Sequence, residues 1–312
     1  MTLSSEPIAS SRSRLIPRSE SVVGPFDVRV LEKAPFSQPA LVDIGLTTMM
    51  TACVVVTLIP LFAVLTYVLL QGMSRLDLAL LTQLPAPPGS AGGGLANAIL
   101  GTLIVVGIAV LISVPFGVST ALYLSEFSQG NQLARWIRFA TKMLSGIPSI
   151  IAGVFAYGLL VRTGLTGYSA IAGGVGLTVL MLPTIVLATD EALQLVPQEL
   201  RWAAFGVGAS RSQTVLRIVM PAAMPSIVTG VMLAIARAAG ETAPLIFTAL
   251  SSSFWPNGLF EPIATLSVLV FNFSTFPFAP QQALAWAGSL ILVLLVLITS
   301  IAARLATRRR VY

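Results

Sequence analysis

The 312-residue sequence contains no histidine, a single cysteine and two lysines, and only 10% of its residues are charged. Each scarcity removes a class of chemistry. With no histidine and with Cys53 alone, a transition-metal site is poorly supplied and an internal disulfide is impossible, so Cys53 reads as a thiol packed among apolar neighbours. A phosphate-cradling P-loop needs Gly-Lys followed by Ser or Thr, but Lys33 follows Glu32 and Lys142 follows Thr141. The chain is therefore not its own ATPase. It also lacks the cysteine pair, histidine or carboxylate cluster from which an ordinary hydrolase site is assembled, which makes an enzyme reading weak.

What fills the chain instead is apolar. Hydrophobic residues make up 55% of it and the mean hydropathy is +0.89, values that belong to a membrane protein. Crossing a hydrocarbon core of about 30 Å takes roughly 20 mostly apolar residues in helix. Six apolar runs near that length, five of them uncharged, predict spans at about 44–70, 95–124, 143–161, 168–189, 224–250 and 283–303. An outer-membrane barrel would show short alternating segments instead, so the expected fold class is an all-α membrane protein.

The basic residues orient this bundle. Fifteen of the eighteen fall in the N-terminal tail, after span two, after span four and in the C-terminal tail, leaving Arg75 and Arg162 opposite and Arg237 inside span five. The positive-inside rule then predicts that both termini are cytoplasmic, which agrees with an even number of spans. The net charge of +6 and the pI near 10.1 are explained as topology determinants, without nucleic acid. Residues 1–42, rich in Ser, Pro and Arg and without a signal-length apolar run, read as a flexible cytoplasmic tail, and 43–312 as one transmembrane domain.

Between spans four and five, VPQELRWAAFGVGASRSQTVLRIVMPAAMPS (196–226) carries helix signals. Pro197 suits a first helical turn, Glu199 lies near the positive end, and Gly206 and Gly208 break the helix. Ser210 can cap a second short helix expected to stop near Met220, before Pro221 and Pro225. On the first helix Leu200, Ala203, Ala204 and Val207 share a face that either a partner or the lipid headgroups would cover.

In this segment Ala203, Ala204, Gly208, Ile218 and Pro221 stand at the spacing of the EAA loop of ABC-importer permeases, E-A-A-x3-G-x9-I-x-L-P, with Trp202 in place of the acidic residue and Met220 in place of leucine. Three further stretches, SGIPSIIAGVFAYGLL from Ser145, GYSAIAGGVGLTVLMLPTIVLATDEAL from Gly167 and ARAAGETAPLIFTAL from Ala236, narrow the likeness. From about Leu95 onward the chain resembles the phosphate-importer permeases of the PstA type. That resemblance implies six helices of the type I, MetI-like permease class in the bacterial inner membrane. It also implies a PstC-like sister permease, a PstB-like ATPase dimer that binds the ATP and magnesium, and an extracytoplasmic PstS-like phosphate-binding protein. No cofactor is expected on this chain. Glu199, Trp202, Ala203, Ala204, Gly208, Ile218 and Pro221 would form the surface that couples to the ATPase.

Arg237 and Glu241 are the charges that the fifth span must accommodate. An ionised Arg at mid-bilayer costs roughly 2.5–3.5 kcal/mol on insertion scales, so Arg237 should face protein or water. Four residues apart, the two can pair. One reading is mutual neutralisation that fixes helix packing. The other places Arg237, Glu241 and Thr242 on a translocation path, with the guanidinium offering donors to an oxyanion. Glu241 would then hold Arg237 in place, or accept a hydrogen bond from a substrate P–OH. Gly240 with Pro244, and Gly146 with Pro148, are breakers that serve either as hinges or as static kinks. Charge alone does not separate phosphate from sulfate or molybdate, and an ion-coupled carrier using Arg237 and Glu241 as a relay is a further alternative, although such a carrier has no need of an EAA loop. Outside, the stretch from Pro85 reads as a flexible linker, and 251–282, rich in Phe and Pro, as an interfacial loop that partly faces a binding protein.

Overall fold

The computed structural model describes residues 38–308 except Gln129. Residues 1–37 of the expected tail lie outside that range; 38–42 already belong to the first helix. The chain divides after Phe62 into two units. The described part of the first is the opening of α1 (Gln38–Met73), apolar on every side, with each residue from Leu41 to Phe62 exposed. Cys53 is exposed there, which corrects the expectation of a packed thiol.

The second unit is a helical bundle. After the end of α1 and the short α2 (Leu78–Thr82) come α3 (Ala96–Leu122), α4 (Gln132–Ser145), α5 (Ser149–Ala156), α6 (Ala170–Gln194), α7 (Gln198–Gly206), α8 (Arg211–Thr214), α9 (Met220–Gly240), α10 (Ala243–Thr248), α11 (Leu266–Thr275) and α12 (Ala279–Arg308). Three π turns, Tyr123–Phe127, Tyr157–Val161 and Val215–Val219, continue α3, α5 and α8 without a break. Helix α6 is the hub and packs against α3, α9, α5, α10 and α4. It can approach them closely because Gly173 and Gly174 face Ala249 and Ile108 with no side chain of their own. The main core is built of Val105, Leu177, Met181, Ile185, Ile227 and Leu245 from four of these elements, while Leu80, Leu95, Leu266 and Leu284 tie α2, α11 and α12 to the start of α3.

Among the described residues, five helices are long and apolar enough to cross a membrane: Leu41–Met73, Ala96–Phe127, Ala170–Gln194, Arg211–Gly240 and Ala279–Leu305. Two of the six expected spans need correction. At 143–161 the chain is not one helix, because α4 and the α5 segment meet at 106°. Gly146 closes α4 through its N–H on the Met143 carbonyl, and Pro148, with no N–H, opens α5. From Ser149 to Val161 the helix rises only about 20 Å, short of a full crossing. At 224–250 the helix begins earlier and stops sooner. It runs unbroken from Arg211, so no second short helix ends at Met220; the π turn Val215–Val219 loosens the backbone just where the ring of Pro221 would strike the carbonyl four residues back. It ends at Gly240, and Glu241 is extended before α10 starts.

The two segments expected outside, from Pro85 and at 251–282, are more ordered than expected. Buried Gln281 donates to the Pro87 carbonyl at 3.1 Å and accepts from the Gly89 N–H at 3.2 Å, and Pro85 bridges Gly93, so the stretch from Pro85 is a pinned turn and not a flexible linker. Residues 251–282 contain α11, whose N-terminal residues Leu266, Ser267, Val268 and Leu269 are buried against α12 and α3. A Cβ on Gly101 would come within 1.9 Å of the Ala264 carbonyl oxygen, so only glycine lets the backbone before α11 lie on α3.

Candidate functional site: an interrupted span and a stitched helical elbow

The break between α9 and α10 gathers most of the predicted path residues. Arg237 stands in the last turn of α9, where a cation is favourable beside the free carbonyls. Its Nε lies 3.4 Å from Oε1 of Glu241. The pair is not made along a helix face as expected: Glu241 is the first residue past the helix, with its N–H on the Ala238 carbonyl. The two side chains differ in surroundings, Arg237 being 61% exposed and Glu241 17%. Glu241 is thus held by the fold while the guanidinium projects from the surface of this chain, its Nε alone bonded among the described residues.

Contacts from three elements surround the break. Ser267 Oγ donates to the Glu241 carbonyl at 2.9 Å, tying the break to α11. The Thr242 carbonyl accepts from the N–H groups of Leu245 and Ile246 and starts α10; Thr242 itself is half-buried beside Glu241. Pro244 is buried against α5, where a Cβ on Gly153 would sit 2.5 Å from the Pro244 Cα. Gly240 and Pro244 therefore bound the fifth-span interruption, Gly146 and Pro148 form the α4–α5 bend, and α5 joins the two breaks. Ser267 was missed by sequence reasoning; a lone serine in an apolar loop carries no signal.

At the opposite ends of α3 and α6 lies the EAA-like segment. Helix α7 spans Gln198–Gly206, with Glu199 exposed in its first turn. Ala204 is buried and its carbonyl accepts from Ala209, while Ala203, Leu200 and Val207 are exposed, so the predicted stripe is left open by this chain except at Ala204. Gly208 has φ +84°, a left-handed conformation that suits glycine and turns the chain into α8. There Ser210 caps as expected: Ser210 Oγ accepts from the Gln213 N–H, and Gln213 Oε1 accepts from the Ser210 N–H. Ile218 lies in the π turn against which α7 packs, and Pro221 follows on α9. Trp202 is 66% exposed, and with Phe205 it presents an aromatic surface where the family pattern has a carboxylate.

Arginines stitch this elbow to the bundle. Arg201 on α7 pairs with Glu126 at the end of the α3 segment and donates to the Leu193 carbonyl at 2.8 Å. Arg211 donates to the Glu126 carbonyl and stacks over Phe127. Arg138 on α4 reaches Asp190 at 3.4 Å and the Leu124 carbonyl at 3.0 Å. Glu126 and Asp190 are themselves largely buried. Between these elements opens a cavity of about 540 Å³, lined by Glu126, Gln198, Arg201, Trp202, Phe205 and Arg211 among others. Reading the cations only as topology determinants missed this role. The available signal was a carboxylate at the end of each of two spans, in a chain with twelve acidic residues in all.

Comparison with known proteins places this geometry. Residues 113–312 match the model of the binding-protein-dependent transport system inner membrane component family. The phosphate transport system permease protein PstA of Yersinia pestis is 42% identical over 75% of this chain and 79% of its own length. The protein of that name from Haemophilus influenzae is also 42% identical, over 75% of this chain and 83% of its own. A probable ABC transporter permease, YqgI of Bacillus subtilis, is 35% identical over 83% and 92%. Among solved structures, the bacterial alginate ABC transporter in complex with its pentasaccharide-bound periplasmic protein aligns with a TM-score of 0.62 at 16% identity, covering 88% of this chain and 98% of that one. An inward-facing methionine ABC transporter aligns at 0.54 and 19%, covering 69% and 94%. The expected type I permease fold is thus present, and the chain belongs to the family of binding-protein-dependent transport system inner membrane components.

Proposed function

We propose that this chain is the membrane-spanning permease subunit of an ATP-driven importer of inorganic phosphate, with both termini in the cytoplasm. The observation that carries the reading is an exposed guanidinium, anchored by a covered carboxylate at an interruption of a spanning helix, in a chain whose relatives are named as phosphate permeases. Interrupted spans are where transporters expose backbone and side-chain groups to a substrate at membrane depth. Arg237 offers planar, forked donors to a phosphate oxyanion, and Glu241 keeps that fork in place while weakening its grip, so that the anion passes on. Thr242 supplies a hydroxyl at the same level.

The remaining components belong to partners: a related, PstC-like permease facing Arg237, a PstB-like ATPase dimer that binds ATP and magnesium, and a PstS-like binding protein on the outside. Helix α7 is the surface on which the ATPase presses. Movement there reaches the spans along two routes visible in the chain, the unbroken helix from Arg211 to Gly240 that ends at Arg237, and the Arg201–Glu126 pair that ends on α3. Trp202 makes the contact apolar where the family glutamate would make it ionic. The experiment is ATP hydrolysis by the complex co-purified on this chain and reconstituted in lipid, with binding protein loaded with phosphate, sulfate or molybdate. Stimulation by the phosphate-loaded form alone is expected. Equal stimulation by sulfate or molybdate contradicts the substrate, and absence of a co-purifying ATPase contradicts the coupling.

A further inference from the structure

Helix α4 is unlike every other helix of the bundle. Its inner face, with Ala134 and Thr141 buried and Ile137, Arg138 and Leu144 half-buried, packs on α6 and on the end of the α3 segment. Beside that face runs a second apolar one, Leu133, Trp136, Phe139 and Met143, all more than half exposed. Arg135 and Lys142, two turns apart, close the circle. The cations at this end of the molecule are sorted: Arg138, Arg201 and Arg211 are bonded to protein groups, whereas the side chains of Arg135 and Lys142 have no hydrogen-bond or ion-pair partner among the described residues. Gln132, Arg135, Trp136 and Phe139 together line a shallow depression of about 390 Å³.

Orientation says what medium meets these faces. The bend of 106° turns α4 across the direction of the α5 segment, and the bonds of Arg138 to Leu124 and Asp190 set α4 at the ends of the α3 and α6 spans, where the bilayer surface is expected. A helix in that position with Trp and Phe on one flank and unpaired Arg and Lys on the next has the arrangement of an interfacial helix, its rings among the upper acyl carbons and its cations among headgroups. Charge complementarity selects the headgroup, since unpaired cations at a leaflet surface favour anionic lipid. We infer that α4 is a binding site for anionic phospholipid, with Arg135 and Lys142 on the phosphodiester and headgroup and Trp136, Phe139 and Met143 against the acyl chains. Because Arg138 fastens the same helix to Asp190 and to the end of α3, lipid bound there braces the elbow to which α7 is stitched.

The test replaces Trp136 with photoreactive benzoylphenylalanine in the full complex, reconstituted in phosphatidylethanolamine containing a minor fraction of phosphatidylglycerol, with adducts identified by mass spectrometry after illumination. Adducts to phospholipid are expected, with phosphatidylglycerol enriched about tenfold over its mole fraction, given that each surface cation contributes a several-fold preference. Adding R135Q and K142Q should return the adducts to the bulk lipid ratio while the complex still assembles and hydrolyses ATP. Adducts on a permease or ATPase subunit, or lipid adducts with no headgroup preference, overturn the proposal. Stimulation by loaded binding protein is measured separately, so failure here is distinguishable from failure of the transport reading.

Discussion

Arg237 and Glu241 were legible in the sequence as an improbable pair of charges in an apolar run; what the sequence could not convey is that the helix ends between them. Glu241 takes its place from a backbone break and from Ser267, residues away in the chain, and that is why one partner is covered and the other presented. Ser267→Ala removes one hydrogen bond of about 1 kcal/mol. It should lower the melting temperature of the purified complex by a few degrees and slow uptake modestly; unchanged values would show that α11 does not hold the break. Glu126 sits at the other extreme of legibility, its buried carboxylate paired with Arg201, 75 residues away, and its backbone carbonyl with Arg211, 85 residues away. Glu126→Leu leaves Arg201 buried without its counter-charge, a loss of roughly 3–5 kcal/mol by analogy with broken buried pairs. The double variant with Arg201→Leu should recover much of that loss, read as yield and melting temperature of the complex; strictly additive losses would contradict the pairing.

Among the elements, the long apolar helices could be read directly, since hydropathy over some twenty residues outweighs local detail. The interruptions were harder. Proline marks a break at Pro148, where a glycine two residues earlier lets α4 close, yet Pro221 and Pro225 lie inside a continuous helix, with a π turn only ahead of Pro221. Proline alone therefore does not decide. Likewise α11 and the pinned turn at Pro85 depend on contacts made from far along the chain, through Gly101, Gln281 and Ser267, to which no local window has access. Two substitutions probe the joints. Gly153→Ala forces a methyl into the Pro244 backbone and should push α5 from α10, destabilising by about 1–3 kcal/mol and reducing uptake more than tenfold; full uptake would deny that the two breaks are mechanically joined. Gly208→Ala strains a left-handed turn by about 1 kcal/mol and should reduce ATP-driven uptake while ATP hydrolysis by the partner continues, the signature of a displaced α7.

At the scale of the whole molecule, this chain is a scaffold turned outward. Large apolar side chains such as Leu111, Phe116 and Leu233 are exposed, as lipid or a second permease requires, and the most exposed arginine of the ion pairs faces away from the chain's own core. Sequence reading reached this architecture through the EAA-like spacing and the distribution of basic residues, and comparison with relatives supports the same class. The account rests on one claim, that Arg237 serves phosphate passage through an ATP-driven complex. The measurement is uptake of labelled phosphate into proteoliposomes containing the assembled complex, ATP and the loaded binding protein, for the native chain and for Arg237→Gln. The account predicts ATP-dependent uptake by the native complex and a loss of at least tenfold in the variant, with the subunits still assembled. Undiminished uptake by an assembled Arg237→Gln complex, or uptake that does not require ATP, would contradict it.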